Sequence, residues 1–247
     1  MRQLNHNIQM HRFFAPEIEE TLTLPEVESQ HAVRVLRLKE GDEVEVVDGK
    51  GGLYLCRISL AHNKKCGVEI VERITSEPHW GSEIVLCVAP TKNLDRIEWM
   101  AEKCTEMGVN RLIPVKCRYS ERKELKTERL HKILVSAMKQ SLKATLPELD
   151  ELTPVMDVIN MPFEGQKFIC YCDDEVERKN FVKEYNPKEP VLVLVGPEGD
   201  FSREEVDAAL ANGFVAVTLG ESRLRTETAA VAVCFACHTV KQMGDRG

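Results

Sequence analysis

Long hydrophobic runs are missing from this 247-residue sequence. No stretch approaches the roughly eighteen apolar residues that a membrane-spanning helix needs, so we predict no membrane partner. The first ten residues, MRQLNHNIQM, have no apolar core of the kind found in secretory signal peptides. We therefore expect a cytoplasmic protein. We also expect residues 1–9, which are polar and without periodicity, to form a loose extension.

Familiar catalytic and metal-binding signatures are missing as well. The sequence contains no GxGxxG, GxxxxGK(S/T), GxSxG or HExxH motif, and no paired-carboxylate signature. Its seven histidines are scattered rather than grouped at the spacing of metal ligands. These absences argue against dinucleotide-binding, P-loop, hydrolase and metalloenzyme functions, and we predict no metal.

Cysteine is present, but not as a disulfide framework. Nine cysteines is an odd number, and most lie within apolar runs, which is typical of reduced thiols in cytoplasmic proteins. Cys234 and Cys237 have the spacing of a metal or redox pair, yet no second pair accompanies them. Because they fall within the helical pattern AAVAVCFACHTV, we predict that both thiols pack in a core.

The most informative stretch is residues 191–230, where two apolar runs each end in glycine. The first run, Val191–Val195, is short and rich in valine, which is typical of a strand buried on both faces of a parallel sheet. It stops at the turn-forming tetrapeptide of residues 196–199, GPEG. Ser202 followed by Glu205 then predicts a capping box at the start of a helix.

The second apolar run covers residues 214–219, after a helix stop at Asn212 and Gly213, and it ends at Gly220. A further helical pattern starts at Thr226. Two parallel strands that each end in a glycine loop bring both loops to one edge of their sheet. Open α/β sheets bind ligands at the carboxyl ends of their strands, so we expect the functional site there.

Residues 223–228, RLRTET, add two cations, a carboxylate and two hydroxyls beside the second glycine loop. An arginine there suits a phosphate or a developing negative charge, and the hydroxyls suit a bound ligand. The same residues equally suit a helix start, with Thr226 as the cap and Glu227 complementing the helix dipole. The GPEG turn can bring backbone N–H groups close to an anion or carboxylate, or serve as an ordinary turn. These alternatives stay open.

Charge is unevenly distributed along the chain. The whole sequence carries a formal net charge of −7, which argues against nonspecific nucleic-acid binding by its entire surface. Residues 111–143, however, contain ten Lys and Arg against three acids. Such a local excess is typical of a nucleic-acid-binding face, although a solvated helix gives the same pattern. The segment lacks interleaved aromatics, so stacking on single-stranded bases is not indicated.

The remaining pattern predicts two domains. Residues 12–75 contain short strands separated by glycine turns and a short helix over residues 29–39 with a basic side, which indicates a small barrel or sandwich. From Ile84 on, apolar runs alternate with helical stripes, which predicts βαβ units and a parallel sheet. The final helix, over residues 229–243, packs either on its own sheet or against a second copy of the chain.

Three motifs in the C-terminal half, at residues 194–199, 218–220 and 224–230, follow one another in a recognisable order. In sequence and spacing they resemble the bacterial small-subunit ribosomal RNA uridine-N3 methyltransferases, which belong to the SPOUT class. Residues 11–14, HRFF, and 31–37, HAVRVLR, resemble the PUA-like RNA-binding domain of that family. The resemblance covers nearly the whole chain.

The resemblance implies an α/β protein of two domains. These are a PUA-like RNA-binding β-barrel over residues 1–76 and a SPOUT methyltransferase domain over residues 77–247, with a mostly parallel sheet and a deep trefoil knot. It implies a homodimer that acts on 16S ribosomal RNA within the small ribosomal subunit, with S-adenosyl-L-methionine as cofactor. The implied cofactor-binding residues are Leu194, Val195, Gly196, Pro197, Glu198, Gly199, Leu219, Gly220, Leu224, Arg225, Thr226 and Ala229. The implied RNA-binding residues are Arg12, Arg34, Arg37, Arg118, Arg122, Lys139 and Gln140.

The implied reaction is methyl transfer to N3 of a uridine. Arg225 is expected to stabilise developing charge or bind a phosphate, and Glu227, the only carboxylate within the motif, to act as the base or cap the helix. Two positions depart from the family pattern: Asp200 stands where many members have glycine, and residues 139–141, KQS, stand where others have Glu-Gln before a small residue. Another SPOUT activity, such as transfer-RNA ribose methylation, and a noncatalytic RNA-binding module are the alternatives.

Overall fold

The computed structural model describes residues 10–76, 78–173 and 176–244. By its internal contacts the chain divides into two compact units. The first contains the residues up to Pro78 together with Met138–Leu146, and the second contains His79–Ala137 and the residues from Pro147 onward. The loose extension predicted for residues 1–9 lies outside the described residues. The domain boundary between residues 76 and 77 stays a prediction.

The first unit is built on a four-stranded sheet. Its strands are Arg12–Phe14 (β1), Glu43–Val47 (β2), Gly52–Leu60 (β3) and Gly67–Thr75 (β4). They lie side by side in chain order, with β1 and β2 parallel and the other neighbours antiparallel. Burial alternates along the first half of β3, which sends every second side chain into the core. The members of that core include Phe13, Ile18, Val44, Val46, Tyr54 and Ile58.

Short helices connect β1 with β2. They are Ile18–Thr21 (α1) and Glu26–Gln30 (α2), and a wider π-helical turn continues α2 over His31–Val35. The sequence pattern predicts this helix over residues 29–39, so the structure starts it earlier and ends it sooner. Arg37 has a φ of 58°, which takes the chain out of the right-handed helical region.

Residues 138–146 belong to the first unit because their apolar side chains pack there. Met138 and Ala144 are buried in one cluster with Val47. The backbone N–H of Leu146 also donates to the carbonyl oxygen of Gly49 at 2.9 Å. Apolar contact and backbone pairing together hold this later segment in the unit that the first part of the chain forms.

The second unit is built on an eight-stranded sheet. Its strands are Ile84–Val88 (β5), Arg111–Lys116 (β6), Glu148–Leu149 (β7), Thr153–Pro154 (β8), Gln166–Cys170 (β9), Lys179–Asn180 (β10), Val191–Val195 (β11) and Val215–Thr218 (β12). The order is β10-β12-β9-β11-β5-β6-β7, with β8 also paired to β6. The neighbours are parallel. An α/β fold with a mostly parallel sheet is therefore confirmed.

Helices connect these strands. Their bounds are Leu94–Met107 (α3), Thr127–Gln140 (α4), Val155–Ile159 (α5), Phe181–Glu184 (α6), Arg203–Ala211 (α7) and Thr226–Gly244 (α8). The predicted capping box is present at the start of α7, where Ser202 and Glu205 bond reciprocally. None of the helices in the described ranges is long and apolar enough to cross a membrane.

The last helix, α8, packs within its own unit against α3, β5 and β11. Cys234 and Cys237 are buried on this inner face, which confirms that the CxxC pair packs in the core. The Cys234 thiol points at the carbonyl oxygen of Gly108 at 3.5 Å, and His238 Nε2 lies 2.8 Å from the same oxygen. The opposite face of α8 carries Phe235, of which 62% is exposed.

Candidate functional site

Two adjoining cavities lie at the carboxyl edge of the parallel sheet. β9 lies between β11 and β12, so the segments that follow these three strands reach the same edge. The larger cavity, of about 510 Å³, is lined by residues 170–173 and 217–224. The smaller one, of about 300 Å³, is lined by residues 195–198 and 223–226. The prediction that both glycine loops meet at one sheet edge is confirmed.

Glycine is required in these loops for two different reasons. Gly220 has a φ of +135°, a backbone conformation that residues with a side chain rarely adopt. The conformation rather than lack of space requires glycine here, because a Cβ would meet no atom within 4 Å. It leaves bare backbone facing the larger cavity. At Gly196, a Cβ would come within 2.9 Å of the Phe201 ring, so the absence of a side chain lets Phe201 pack against the turn. A small ligand can therefore approach the backbone closely at this edge.

Thr226 connects the first glycine loop with the start of α8. Its Oγ1 donates to the carbonyl oxygen of Gly196 at 2.8 Å, in a buried position. Thr226 is also the first residue of α8, and one turn further on the backbone N–H of Ala229 donates to the Arg225 oxygen at 2.8 Å. The hydroxyl that sequence alone assigns either to a helix cap or to a ligand thus holds the first glycine loop against the start of α8.

Charges of both signs line the cavities. Arg178 and Arg223 face the larger cavity together with acidic residues, and Arg225 lines the smaller one. The acids of the larger cavity are Asp173, Asp200 and Glu221. Arg225 is exposed, and within the described ranges its guanidinium has no ion-pair partner. Walls of mixed sign suit a small ligand with both positive and negative groups.

Two thiols also line both cavities, at Cys170 and Cys172. Burial raises the pKa of the Cys170 thiol to about 12, and it raises the pKa of Cys172 as well. Both are therefore protonated near neutral pH. Because the thiolate is the nucleophilic form, these cysteines are poorly suited to covalent catalysis.

Comparison with known proteins decides the family. The RNA methyltransferase domain model matches residues 78–238, and the RNA methyltransferase PUA domain model matches residues 24–71. A ribosomal RNA small subunit methyltransferase E from Aquifex aeolicus (strain VF5) is 31% identical over 236 residues, which are 91% of this chain and 97% of that protein. The chain belongs to the ribosomal RNA small subunit methyltransferase E family.

Solved structures agree with this family assignment. A probable rRNA-methyltransferase from Porphyromonas gingivalis is 41% identical, with a TM-score of 0.90 over 95% of this chain and 100% of that one. A ribosomal RNA small subunit methyltransferase E from Neisseria gonorrhoeae, solved bound to S-adenosyl methionine, is 28% identical. Its TM-score is 0.81 over 93% of this chain and 97% of that one.

Most of the cofactor-binding residues expected of a methyltransferase E line the two cavities. They are Val195, Gly196, Pro197, Glu198, Leu219, Gly220, Leu224, Arg225, Thr226 and Ala229. Leu194 and Gly199 line neither. Leu194 is fully buried in the core of the second unit, and Gly199 lies where a Cβ would come within 3.0 Å of Tyr119.

Glu227 lies beside the cavities rather than in their walls. It is 6% exposed, and its Oε1 is 3.7 Å from Arg96 Nε on α3. Its Oε2 is buried without a hydrogen-bond partner. Sequence reasoning placed Glu227 within the motif, but it did not indicate Arg96, which lies far away along the chain.

In the first unit, two of the expected RNA-binding cations are engaged in ion pairs. Arg12 Nη2 is 2.6 Å from Glu45, and Lys139 Nζ is 2.5 Å from Glu28. Because their charges are neutralised inside the unit, these two residues are less suited to phosphates than the pattern suggests. The other expected residues of this unit, Arg34, Arg37 and Gln140, are exposed.

In the second unit, Arg118 is exposed and its Nη1 lies 3.4 Å from Glu204. Arg122 donates to the backbone oxygens of Thr91 at 3.1 Å and Lys92 at 2.5 Å, which holds the segment after β5. The N–H of Lys92 in turn donates to Glu198 at 3.2 Å. Arg122 therefore supports the wall of the smaller cavity.

Sequence reasoning missed the contribution of β9. Cys170, Cys172, Asp173 and Arg178, which lie at or after its end, line the larger cavity. The alternation of strands and helices that the sequence predicts from Ile84 on does not show that this strand lies between β11 and β12. Within the described residues, no group of three or more His, Cys, Asp or Glu side chains is placed to hold a metal ion.

Proposed function

We propose that this chain transfers a methyl group from S-adenosyl-L-methionine to N3 of a uridine in small-subunit ribosomal RNA. The observation that carries the proposal is the pair of adjoining cavities, one at each glycine loop, with Thr226 at the start of α8 bonded to Gly196 in the first loop. Two facts support it. The chain belongs to the methyltransferase E family, and the relative from Neisseria gonorrhoeae was solved bound to S-adenosyl methionine.

The residues present fit this donor. The larger cavity alone, of about 510 Å³, lies within the roughly 300–1,000 Å³ range of small-molecule sites. S-adenosylmethionine carries a carboxylate, an ammonium and a sulfonium, which match the mixed charges of the cavity walls. We assign the donor site to the turn at residues 195–199, the loop at residues 219–220 and the start of α8 at residues 224–229, with Leu194 supporting the turn from the core.

The bound donor supplies an electrophilic methyl group on a positively charged sulfur. In the proposed reaction a bond forms between uracil N3 and the methyl carbon, the bond from that carbon to sulfur breaks, and the N3 proton passes to a base. Negative charge develops on the uracil as its proton leaves. Arg225 is the residue we assign to stabilise that charge, because its guanidinium lines the smaller cavity and is exposed.

Glu227 is the carboxylate we assign to accept the proton. The free acceptor position on its buried Oε2 supports this role. Since Glu227 does not line either cavity, the role requires the uracil to enter beside the first turn of α8. Positioning of the two reactants contributes more than the base, up to roughly 7–11 kcal/mol for well-oriented partners.

The finer architecture is also a proposal. We assign the two glycine loops to a deep trefoil knot, and the four-stranded sheet of the first unit to a PUA-like barrel. The match of residues 24–71 to the RNA methyltransferase PUA domain supports the second assignment. On this basis residues 1–76 form the RNA-binding domain, residues 77–247 form the methyltransferase domain, and the protein acts in the cytoplasm on the small ribosomal subunit.

We further propose that two copies of the chain form a homodimer through the outer face of α8. Phe235 is 62% exposed there, and Trp99 on α3, the helix that packs against α8, is 45% exposed. A monomer that leaves two large apolar side chains on adjoining helices in water gains by covering them. A second copy offers the same side chains in return, as a two-fold interface requires.

The test is methyl transfer from labelled S-adenosylmethionine to unmodified transcripts of small-subunit ribosomal RNA, as naked RNA and as reconstituted subunits, with transfer RNA in parallel. We expect label in ribosomal RNA, released by digestion as N3-methyluridine. Arg225→Ala should lower turnover by about 10²–10³-fold, since one charge-stabilising donor is lost. The matched control is Arg203→Ala on the outside of α7, which should retain full turnover.

The alternative functions give different outcomes. Label in the ribose of transfer RNA would indicate another SPOUT activity. Absence of donor binding at millimolar concentration in calorimetry would indicate a noncatalytic RNA-binding module. Full turnover in Arg225→Ala would remove Arg225 from the mechanism while leaving the reaction itself in place.

A further inference from the structure

Asp200 closes the turn that follows β11. Its backbone N–H donates to the Pro197 oxygen at 2.9 Å, and its φ of +63° lies in the left-handed region. Aspartate is one of the few residues besides glycine that adopts this conformation, because its short side chain can bond locally. The backbone therefore accepts aspartate at position 200, and the role of its side chain needs a separate explanation.

The Asp200 carboxylate joins two strand exits. Its Oδ1 accepts from the N–H of Phe201 at 2.8 Å, and its Oδ2 accepts from the N–H of Cys172 at 3.0 Å. Cys172 follows β9, and Asp200 follows β11, the neighbouring parallel strand. The second bond thus connects the ends of two adjacent strands. Glycine at this position would make neither side-chain bond.

Both ends of this connection are cavity walls. Asp200 and Cys172 line the larger and the smaller cavity, and Tyr171 and Asp173 line the larger one. The width of the site at this edge therefore depends on where residues 171–173 are held. Hydrogen bonds to an ionised carboxylate are stronger than those between neutral groups, so one side chain is sufficient to hold a short segment.

We propose that Asp200 is a positioning residue. Its carboxylate holds residues 171–173 against the turn after β11 and so shapes the donor pocket before the donor binds. The inference rests on the proposed function, because the methyl donor is the ligand whose pocket is shaped. It assigns Asp200 no contact with the reacting atoms.

The electrostatics of Asp200 support a role in the site rather than in stability. Burial raises its pKa, and the two backbone N–H donors and Arg223 oppose that rise without cancelling it. A carboxyl whose pKa is raised on folding stabilises the fold while protonated and loses that contribution as pH rises through the folded pKa. At neutral pH the ionised Asp200 is therefore unfavourable for folding, which is common among residues kept for function. The titratable groups that face Asp200 are Arg223, Asp173, Cys172, Cys170 and Cys117.

The test compares Asp200→Asn and Asp200→Gly with the full-length wild type in calorimetry, using S-adenosylmethionine and S-adenosylhomocysteine near neutral pH. Asn keeps one acceptor oxygen but turns an amide NH₂ toward the other N–H, and Gly keeps the backbone conformation without either bond. We expect Asn to weaken both ligands about 10-fold to 100-fold, the equivalent of one charge-assisted hydrogen bond, and Gly at least as much. Asp207→Asn, an exposed change on α7, is the matched control and should bind like wild type.

Two further measurements distinguish a residue that positions the pocket wall from one that only stabilises the fold. The free energy of unfolding of Asp200→Asn should fall by less than the free energy of ligand binding, because removal of a partly buried charge offsets the lost hydrogen bond. Wild-type affinity should fall as the pH is lowered through the raised pKa of Asp200, because protonation removes the charged acceptor, and Asp200→Asn should show no such fall.

Each contrary result has its own meaning. Wild-type affinity in both variants would overturn the positioning role of Asp200. Loss of affinity for S-adenosylmethionine alone would also overturn it, because the carboxylate would then contact the sulfonium charge directly. If the wild type binds neither ligand, both the proposed function and the positioning role of Asp200 are wrong. If the wild type binds both ligands and the variants bind them with the same affinity, only the positioning role of Asp200 is wrong.

Discussion

At the scale of single residues, Thr226 shows how one hydroxyl connects folding with the site. Its bond to the Gly196 oxygen is buried and joins the first glycine loop to the start of α8, 30 residues further along the chain. A buried carbonyl that loses its donor is left unsatisfied, which is more costly than an unmade bond at the surface. We therefore expect the position to affect both the stability of the second unit and the shape of the proposed donor pocket.

Thr226→Val removes this hydroxyl at nearly constant volume. We expect the free energy of unfolding to fall by about 1–3 kcal/mol, because the Gly196 oxygen stays buried without a donor. Affinity for S-adenosylmethionine should fall as well, since the first glycine loop loses its connection to the start of α8. Urea unfolding and calorimetry measure the two effects. Thr226→Ser keeps the hydroxyl and should behave like wild type; a Val variant indistinguishable from Ser would contradict the assignment.

Residue identities could be predicted only where the signal is local. The glycine turns, the capping box of Ser202 and Glu205 and the burial of Cys234 and Cys237 follow from short spacings, and the structure confirms them. The partners of Arg12 and Lys139 could not be predicted in this way. Glu45 is 33 residues from Arg12 and Glu28 is 111 residues from Lys139, so only the folded chain shows that their charges are paired.

At the scale of elements, the π-helical turn after α2 is the segment of the first unit that we propose to contact RNA. Such turns are often found at functional sites. The turn covers His31–Val35, and Arg34 within it and Arg37 just after it are exposed. The sequence pattern predicts a regular helix here, because a basic periodic stripe does not reveal a wider turn. Arg34 and Arg37 nevertheless lie within residues 29–39, the segment for which the sequence predicts a basic side.

Arg34→Ala and Arg37→Ala should therefore weaken RNA binding without unfolding the first unit. If each arginine meets one phosphate, each change should reduce the slope of log affinity against log salt by about 0.7–0.9. Binding titrations of small-subunit RNA at several salt concentrations measure this slope. Arg57→Ala is the matched control, since Arg57 is exposed on β3 and lies 3.4 Å from Glu43. An unchanged slope in both variants would exclude this turn from the RNA interface.

At the scale of the whole molecule, charge and topology set different limits on prediction. The excess of Lys and Arg in residues 111–143 is real in the sequence, but Arg111, Arg129 and Lys139 pair with acids outside that segment. The parallel sheet could be predicted from alternating strands and helices, whereas the position of β9 between β11 and β12 could not. A knot is beyond such patterns altogether, because general rules of chain connection exclude it.

The last consequence concerns how the molecule covers its apolar surface. The final helix, α8, packs on its own unit through its buried side and leaves Phe235 exposed on the other side, so packing within its own unit leaves part of the helix surface uncovered. Phe235→Glu places a charge at the centre of the proposed two-fold interface, where each copy would face the same new charge on its partner. We expect this variant to sediment as a monomer at concentrations where wild type sediments as a dimer.

The control for this change is Leu210→Glu on α7, which is 36% exposed and carries the same apolar-to-acidic substitution outside the proposed interface. It should remain dimeric. Both variants should keep the wild-type circular dichroism spectrum, because neither side chain belongs to the buried core. Wild type that sediments as a monomer at all concentrations would contradict the dimer, and so would a Phe235→Glu variant that stays dimeric. If α8 does form the interface, donor binding should weaken together with dimerisation in Phe235→Glu, because the helix that carries Phe235 begins at Thr226 in the wall of the proposed donor pocket.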